Sequence, residues 1–220
     1  MALSKLTYNS LNVTAAASKG IGFDSDPDAL QADYVAGSMV FIKKLTASAS
    51  GTLDFVDGSS DVVLDDTYKE YIFTFKDIHP SNDSKNFQFQ GSTDTGSSYG
   101  VTMTSTSFQA FHSEAGTDPL LAFRAGASVL HQETSFKSLT QESSADADHA
   151  VHGTLHLFNP SSTTFVKHWI CRLSNTFNIN YANEFYSAGY FNTTSAIDAI
   201  QFKFSANDID AGDICLYGIN

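Results

Sequence analysis

The stretch Tyr71-Ile72-Phe73-Thr74-Phe75-Lys76 alternates large apolar side chains with smaller or polar ones, and this period of two returns along the chain. Successive side chains of a β-strand point to opposite faces, so a period of two marks a strand with one buried face. Tyr71, Phe73 and Phe75 share one face; Ile72, Thr74 and Lys76 share the other. In "NFQFQGS" Phe87 and Phe89 point inward and Gln88 and Gln90 outward. Leu155 and Leu157 oppose His156 and Phe158, and Trp169, Cys171 and Leu173 oppose Ile170 and Arg172. Ile200, Phe202 and Phe204 oppose Gln201, Lys203 and Ser205. In "ICLYGI" both faces are apolar, with Ile214 and Leu216 against Cys215, Tyr217 and Ile219. A strand of that kind belongs inside a sheet or between a sheet and a neighbour. Helical periodicity is almost absent.

Between these runs lie "DGSSD", "HPSNDSK", "GSTDTGSSYG", "NPSSTT" and "SANDIDAGD", rich in residues that favour turns. Many short strands at such spacing predict an all-β fold, an antiparallel β-sandwich of jelly-roll-like character. Residues 38–220 form this domain, entered through a first strand "SMVFIKKLTASAS". Residues 1–37 lack sustained alternation and read as an extended N-terminal arm or linker. An alternative there is a short helix at "PDALQADYV", with Asp26 as cap and Pro27 at the first helical position. The arm carries apolar anchors at Leu3, Leu6, Tyr8, Leu11 and Val13, with little core of its own to receive them. Their recipient is a partner, a neighbouring copy or the domain itself.

Only 16% of residues are charged, so the polar surface must be made largely by Ser, Thr, Asn and Gln. The net charge of −12 argues against a duplex nucleic acid or an anionic membrane as partner, since both need clustered cations. No apolar run approaches the ~20 residues of a membrane helix, and the first residues show no apolar core of a signal peptide.

Cys171 and Cys215 lie in strand-like apolar stretches and read as two buried thiols, with a single disulfide as the other reading. Asp146, Asp148, His149, His152 and His156 invite a metal reading. On a strand, however, His152 and His156 stand ~13 Å apart, too far to share an ion. Symmetry-related copies could still bring single histidines together on an axis. Asp24, Asp26 and Asp28, and likewise Asp208, Asp210 and Asp213, have the spacing that opens a calcium loop, but lack its glycine and distal glutamate. Turns in solvent are the plainer reading of both. No nucleophile elbow, phosphate loop or zinc pattern occurs, and no cofactor is expected. The segment 174–195 is rich in aromatic and amide side chains, among them Tyr181, Asn183, Glu184, Tyr186 and Tyr190. Such a set suits a protein interface or sugar stacking, or else fills the core.

Three stretches carry a resemblance. They are "YKEYIFTFKDIHPSNDSKNFQFQGSTDTGSSYG", "GTLHLFNPSSTTFVKHWIC" and "IDAIQFKFSANDIDAGDICLYGI". Together they resemble a family of small β-sandwich virion proteins of tailed bacteriophages, especially marine ones. The closing pattern of Ile, Phe and Tyr-Gly-Ile is its most distinctive element. This chain departs from the family's middle element by a glycine, Gly91, inserted before Ser92. The resemblance covers most of residues 38–219 and leaves the arm out. It implies a non-enzymatic structural protein on the virion surface, as capsid decoration or as a tail or fibre component. It further implies other virion proteins as partners, a homo-oligomer (a trimer being the expected form) and assembly in the bacterial cytoplasm. The competing expectation is a carbohydrate- or receptor-binding module of a tail fibre that contacts host glycan.

Overall fold

The computed structural model describes residues 20–23, 30–33 and 38–220, the first two as backbone only. The chain divides into two units, Met1–Ser38 and Met39–Asn220. In the first, β1 (Gly20–Phe23) pairs antiparallel with β2 (Leu30–Asp33), Gly20 opposite Asp33 and Phe23 opposite Leu30. The helix alternative over "PDALQADYV" is therefore replaced by a strand. So short a helix is marginal alone, whereas the strand has a partner for its backbone groups.

The second unit is built from β3 (Met39–Ser50), β4 (Leu53–Val56), β5 (Glu70–Pro80), β6 (Phe87–Ser92), β7 (Met103–Ser113), β8 (Leu120–Phe123), β9 (His131–Glu133), β10 (Lys137–Ser138), β11 (Val151–Phe158), β12 (Lys167–Thr176), β13 (Tyr181–Phe191), β14 (Ala199–Phe204) and β15 (Ile209–Ile219). The only helical turn among the described residues of this unit is a 3-10 turn at Gly126–Ser128. Two antiparallel sheets result. The large one runs β3-β15-β5-β11-β12-β13-β7-β8, with β9 also paired to β7; the small one runs β10-β6-β14-β4. They face each other as a β-sandwich of unequal leaves.

The alternation decides what lies between the leaves. Phe202 of the small sheet has ring centroids 5.2 Å from both Phe73 and Phe75 of the large one. Phe55, Phe87 and Phe89 surround it, and Phe89 meets Trp169 edge-on at 5.0 Å. All of these rings are buried. Burying a side chain of this size stabilises by roughly 1.5–3 kcal/mol, and edge-to-face pairs add to it. The glycine that interrupts the family pattern has a place here: a Cβ on Gly91 would lie 2.8 Å from the ring of Phe191.

Two expectations need correction. Gln90 does not face water. Its amide donates to the carbonyls of Thr134 and Ser135, each at 3.0 Å, and it is fully buried. The chain leading into β10 covers the small sheet's outer face at that point. Likewise "ANDIDAGD" is a turn only in its first half, because β15 begins at Ile209 and runs past Asp77. Gly212, with φ of 116°, lies opposite the extra residue that β5 carries at Asp77 and Ile78, and a Cβ there would lie 2.4 Å from the Asp77 carbonyl oxygen. Gly212→Ala should cost about 2–4 kcal/mol, combining left-handed strain with backbone overlap. A thermal melt unchanged by this substitution would refute the assignment of the bulge.

β15 lies between β3 and β5, inside the sheet as its two apolar faces require. Cys171 and Cys215 are both free thiols, and burial pushes the Cys171 thiol up.

Candidate functional site

The inner face of the large sheet is covered by the small sheet, so its outer face is the broad surface left for contact. Register places the outward side chains in rows across the strands. One row reads Phe41, Tyr217, Ile72, His156, Ile170, Ala188, Thr106. The next reads Lys44, Cys215, Thr74, Thr154, Arg172, Tyr186, Phe108, Phe123. Directly opposed side chains on one face touch, so each row is a packed line.

The segment 174–195 is split by this geometry. Phe185 and Phe191 point inward and are fully buried. Asn183 shares their face and is 2% exposed, so it leaves the surface set. Its amide donates to Asn175 Oδ1 at 2.7 Å, and the Asn175 amide donates to the Gln141 carbonyl at 3.0 Å. Those bonds tie β13 to β12 and to the loop before β11.

Glu184, Tyr186 and Tyr190 do point outward. Tyr186 is stacked on Phe108 with ring centroids 4.7 Å apart and an interplanar angle of 8°. From the opposite strand the Arg172 guanidinium lies 5.3 Å from the same ring. Arg172 also pairs with the Glu184 carboxylate. Both faces of Tyr186 are thus occupied within the chain, and only its rim meets solvent. Tyr181 stands at the strand end between Phe111 and Phe177, and its hydroxyl donates to Asp118 at 3.1 Å. Tyr190 has His168 on one side at 5.5 Å. It borders a shallow groove of about 430 Å³ with Thr104, Thr106, Phe158, His168 and Ile170.

The apolar character of the surface is strongest at the β8 edge. Phe123 is 83% exposed, Leu121 73%, Ile170 53% and Phe108 39%. A cleft of about 660 Å³ adjoins them, lined by Ala110, Leu121, Ser174 and Glu184 among others. Sequence reading passed over Leu120–Phe123. Four residues are too few to show a period, although an apolar run bounded by "GTDP" is itself a strand signal. The anchors Leu3, Leu6, Tyr8, Leu11 and Val13, and the acidic group Asp24, Asp26 and Asp28, lie outside the described residues.

The metal candidates disperse. His156 Nδ1 is 2.6 Å from Glu70, His152 faces Asp77 at 3.7 Å, and His149 stands between Asp146 and Asp148 at 3.7 and 3.9 Å. Asp210 faces His79 at 3.5 Å, while Asp213 takes a hydrogen bond from Thr46 at 2.6 Å and pairs with Lys44 at 3.1 Å. The Thr46 hydroxyl, with the Lys44 ammonium beside it, holds the Asp213 carboxyl below the usual carboxylate range. Among the described residues no three of these groups converge to hold an ion.

Two lysines are fully buried: Lys167, whose ammonium donates to the Thr193 carbonyl at 3.1 Å, and Lys137. The Lys137 Nζ donates to Ser107 Oγ at 2.9 Å, the Ser128 carbonyl at 2.7 Å and the Ser138 carbonyl at 2.6 Å. The rings of Trp169 and Phe185 lie 5.9 and 5.6 Å from the same nitrogen. The Ser107 hydroxyl donates to the Ser128 carbonyl, so all three partners act as acceptors, as an ammonium requires. Burial nevertheless pulls the Lys137 pKa down to about 7.

Comparison with known proteins finds no matching family model, no matching curated protein and no matching solved structure. The resemblance to phage virion proteins therefore rests on the motifs in the chain alone.

Proposed function

We propose that this chain is a non-catalytic structural protein displayed on the surface of a bacteriophage particle, as capsid decoration or as a tail or fibre component. It attaches through the arm 1–37, with Leu3, Leu6, Tyr8, Leu11 and Val13 as anchors, and it self-associates. It is made and assembled in the bacterial cytoplasm. The observation that carries the reading is the outer face of the large sheet. A rigid, bulky frame presents a wide surface on which large apolar side chains stay open, while its buried polar groups (Gln90, Asn175, Asn183, Lys137) are spent on holding strands together. Surfaces of this kind serve contact with other macromolecules. The three motif stretches supply the virion context.

Deleting residues 1–37 tests the attachment. The shortened protein should melt cooperatively, yet fall to background in particles assembled with it as the sole copy. Incorporation at the full level would sink the docking role of the arm.

A second reading is favoured by one observation, the groove beside Tyr190. The rings of Tyr190 and Phe158 with the hydroxyls of Thr104 and Thr106 form a surface suited to a sugar ring. On that reading Tyr190→Ala abolishes binding of host-envelope glycan, whereas Tyr186→Ala, whose ring faces are already covered, leaves it intact. A glycan array without signal for the unaltered chain disposes of it.

A further inference from the structure

We propose that the outer face at β8, β7, β13 and β12, centred on Phe108, Leu121 and Phe123, is the surface through which a second copy of this chain binds. The inference rests on the reading of the chain as an assembly protein and names the self-contact that the reading left unplaced.

Area is the first argument. Leu121, Phe123, Ile170 and Phe108 are 73%, 83%, 53% and 39% exposed. They leave on the order of 450 Å² of apolar side chain open, at ~150–250 Å² for a large aromatic. A standard interface takes ~800 Å² from each partner, of which ~56–65% is apolar, or again about 450–520 Å². The patch thus holds the apolar share of one such interface. Around Phe108 the side chains are contiguous: Phe123 pairs across the strands with Phe108, Phe108 with Tyr186, and Leu121 with Ala110, while Ile170 stands on β12 in the neighbouring row, opposite Ala188.

Charge selects the occupant. The chain carries a net charge of −12, so two copies repel at long range and can meet only where charge is locally absent. Within the patch the charged side chains are Arg172 and Glu184, which neutralise each other. The neighbouring Asp118 is held by the Tyr181 hydroxyl. A cationic partner would find nothing to select here, whereas the same neutral, apolar patch on another copy matches it. The strand edge adds to this, since β8 pairs only with β7 among the described residues and leaves its outer edge open. Exposed apolar edge strands are the places where sheets recruit another chain.

Sedimentation velocity on the full-length protein at micromolar concentration tests the proposal. The unaltered chain should sediment as a dimer, since a patch that meets its own copy closes at two. The double substitution Leu121→Ser with Phe123→Ser should weaken self-association by on the order of 100-fold or more, as the loss of two central anchors does. Both side chains are exposed, so the variant should still unfold cooperatively, with a midpoint that no longer rises with protein concentration. Phe123→Ser alone provides a milder variant with the same direction. Phe41→Ser, at the far edge of the same face, should leave the oligomer intact. A monomeric unaltered chain, an oligomer that survives the double substitution, or equal dissociation by Phe41→Ser would each overturn the proposal. Particle incorporation is read separately. A monomer still incorporated overturns this inference and leaves the virion role standing; an oligomer that never enters particles does the reverse.

Discussion

A chain cut after Asp213 will not fold. The cut removes Ile214 and Leu216, both fully buried in the core between the sheets, together with Cys215, Tyr217 and Ile219 of the outer face. Losing two such core side chains costs about 3–6 kcal/mol in burial alone. The ladders are the larger loss. β15 pairs with β3 from Ile219–Met39 to Ile209–Ser50 and with β5 from Ile219–Glu70 to Ile209–Pro80. Without Ile214–Ile219, the β3 segment from Met39 to Leu45 loses its partner, and β5 from Glu70 to Phe75 becomes an open edge next to the core. Domains are stable by only ~5–15 kcal/mol, so damage on this scale exceeds the margin. Far-UV circular dichroism and a denaturant titration decide the matter. A cooperative unfolding transition from the 1–213 chain would refute the role given to β15.

Lys137→Ala is the second large effect. The substitution removes a buried side chain, takes the ammonium donor from the Ser138 carbonyl and leaves the Ser128 carbonyl with the Ser107 hydroxyl alone. Cavity and orphaned acceptors together cost about 3–5 kcal/mol. The charge of this residue also has a pH signature. Its folded pKa, about 7, lies below the unfolded value of ~10.4, so the unfolded chain binds the extra proton between those limits. Stability from this group therefore rises with pH, by up to ~1.4 kcal/mol per pH unit from about pH 7 upward. The buried thiol of Cys171 and the hydroxyl of Tyr71 have pKa values raised by burial and oppose the gain at alkaline pH. The clean observable is the difference between the wild-type chain and Lys137→Met, which keeps the bulk and drops the charge. From pH 6 to 9 the wild-type denaturant midpoint should rise relative to that of Lys137→Met. Two parallel curves would show that the Lys137 ammonium is not deprotonated across this range.

The faces of the strands were legible because burial on one side imposes a period of two that no loop imitates. Tyr71, Phe73 and Phe75, or Trp169, Cys171 and Leu173, needed nothing else. The same rule applied to "YANEFYSAGYF" would have separated Asn183, Phe185 and Phe191 from Glu184, Tyr186 and Tyr190. Grouping that segment by composition concealed the split. Other features depend on residues distant in sequence. Gln90 is buried by the carbonyls of Thr134 and Ser135, and Lys137 by Ser107, Ser128 and Trp169; neither side chain carries a local mark of its surroundings. Strand order is equally non-local. Nothing near Met39 announces that its partner is Ile219.

That last pairing bears on how the molecule is made. During synthesis β3 emerges early and must wait for almost the whole domain before β15 arrives to join it to β5. Contacts so far apart along a chain are slow to form, because loop closure precedes any reward. Until Ile219 is available, β3 and β5 present unpaired edges, which other nascent copies or a chaperone can meet. The closing strand of this domain thus acts as a timing device. The outer face of the large sheet is complete, and open to whatever docks on it, only after its closing strand has arrived.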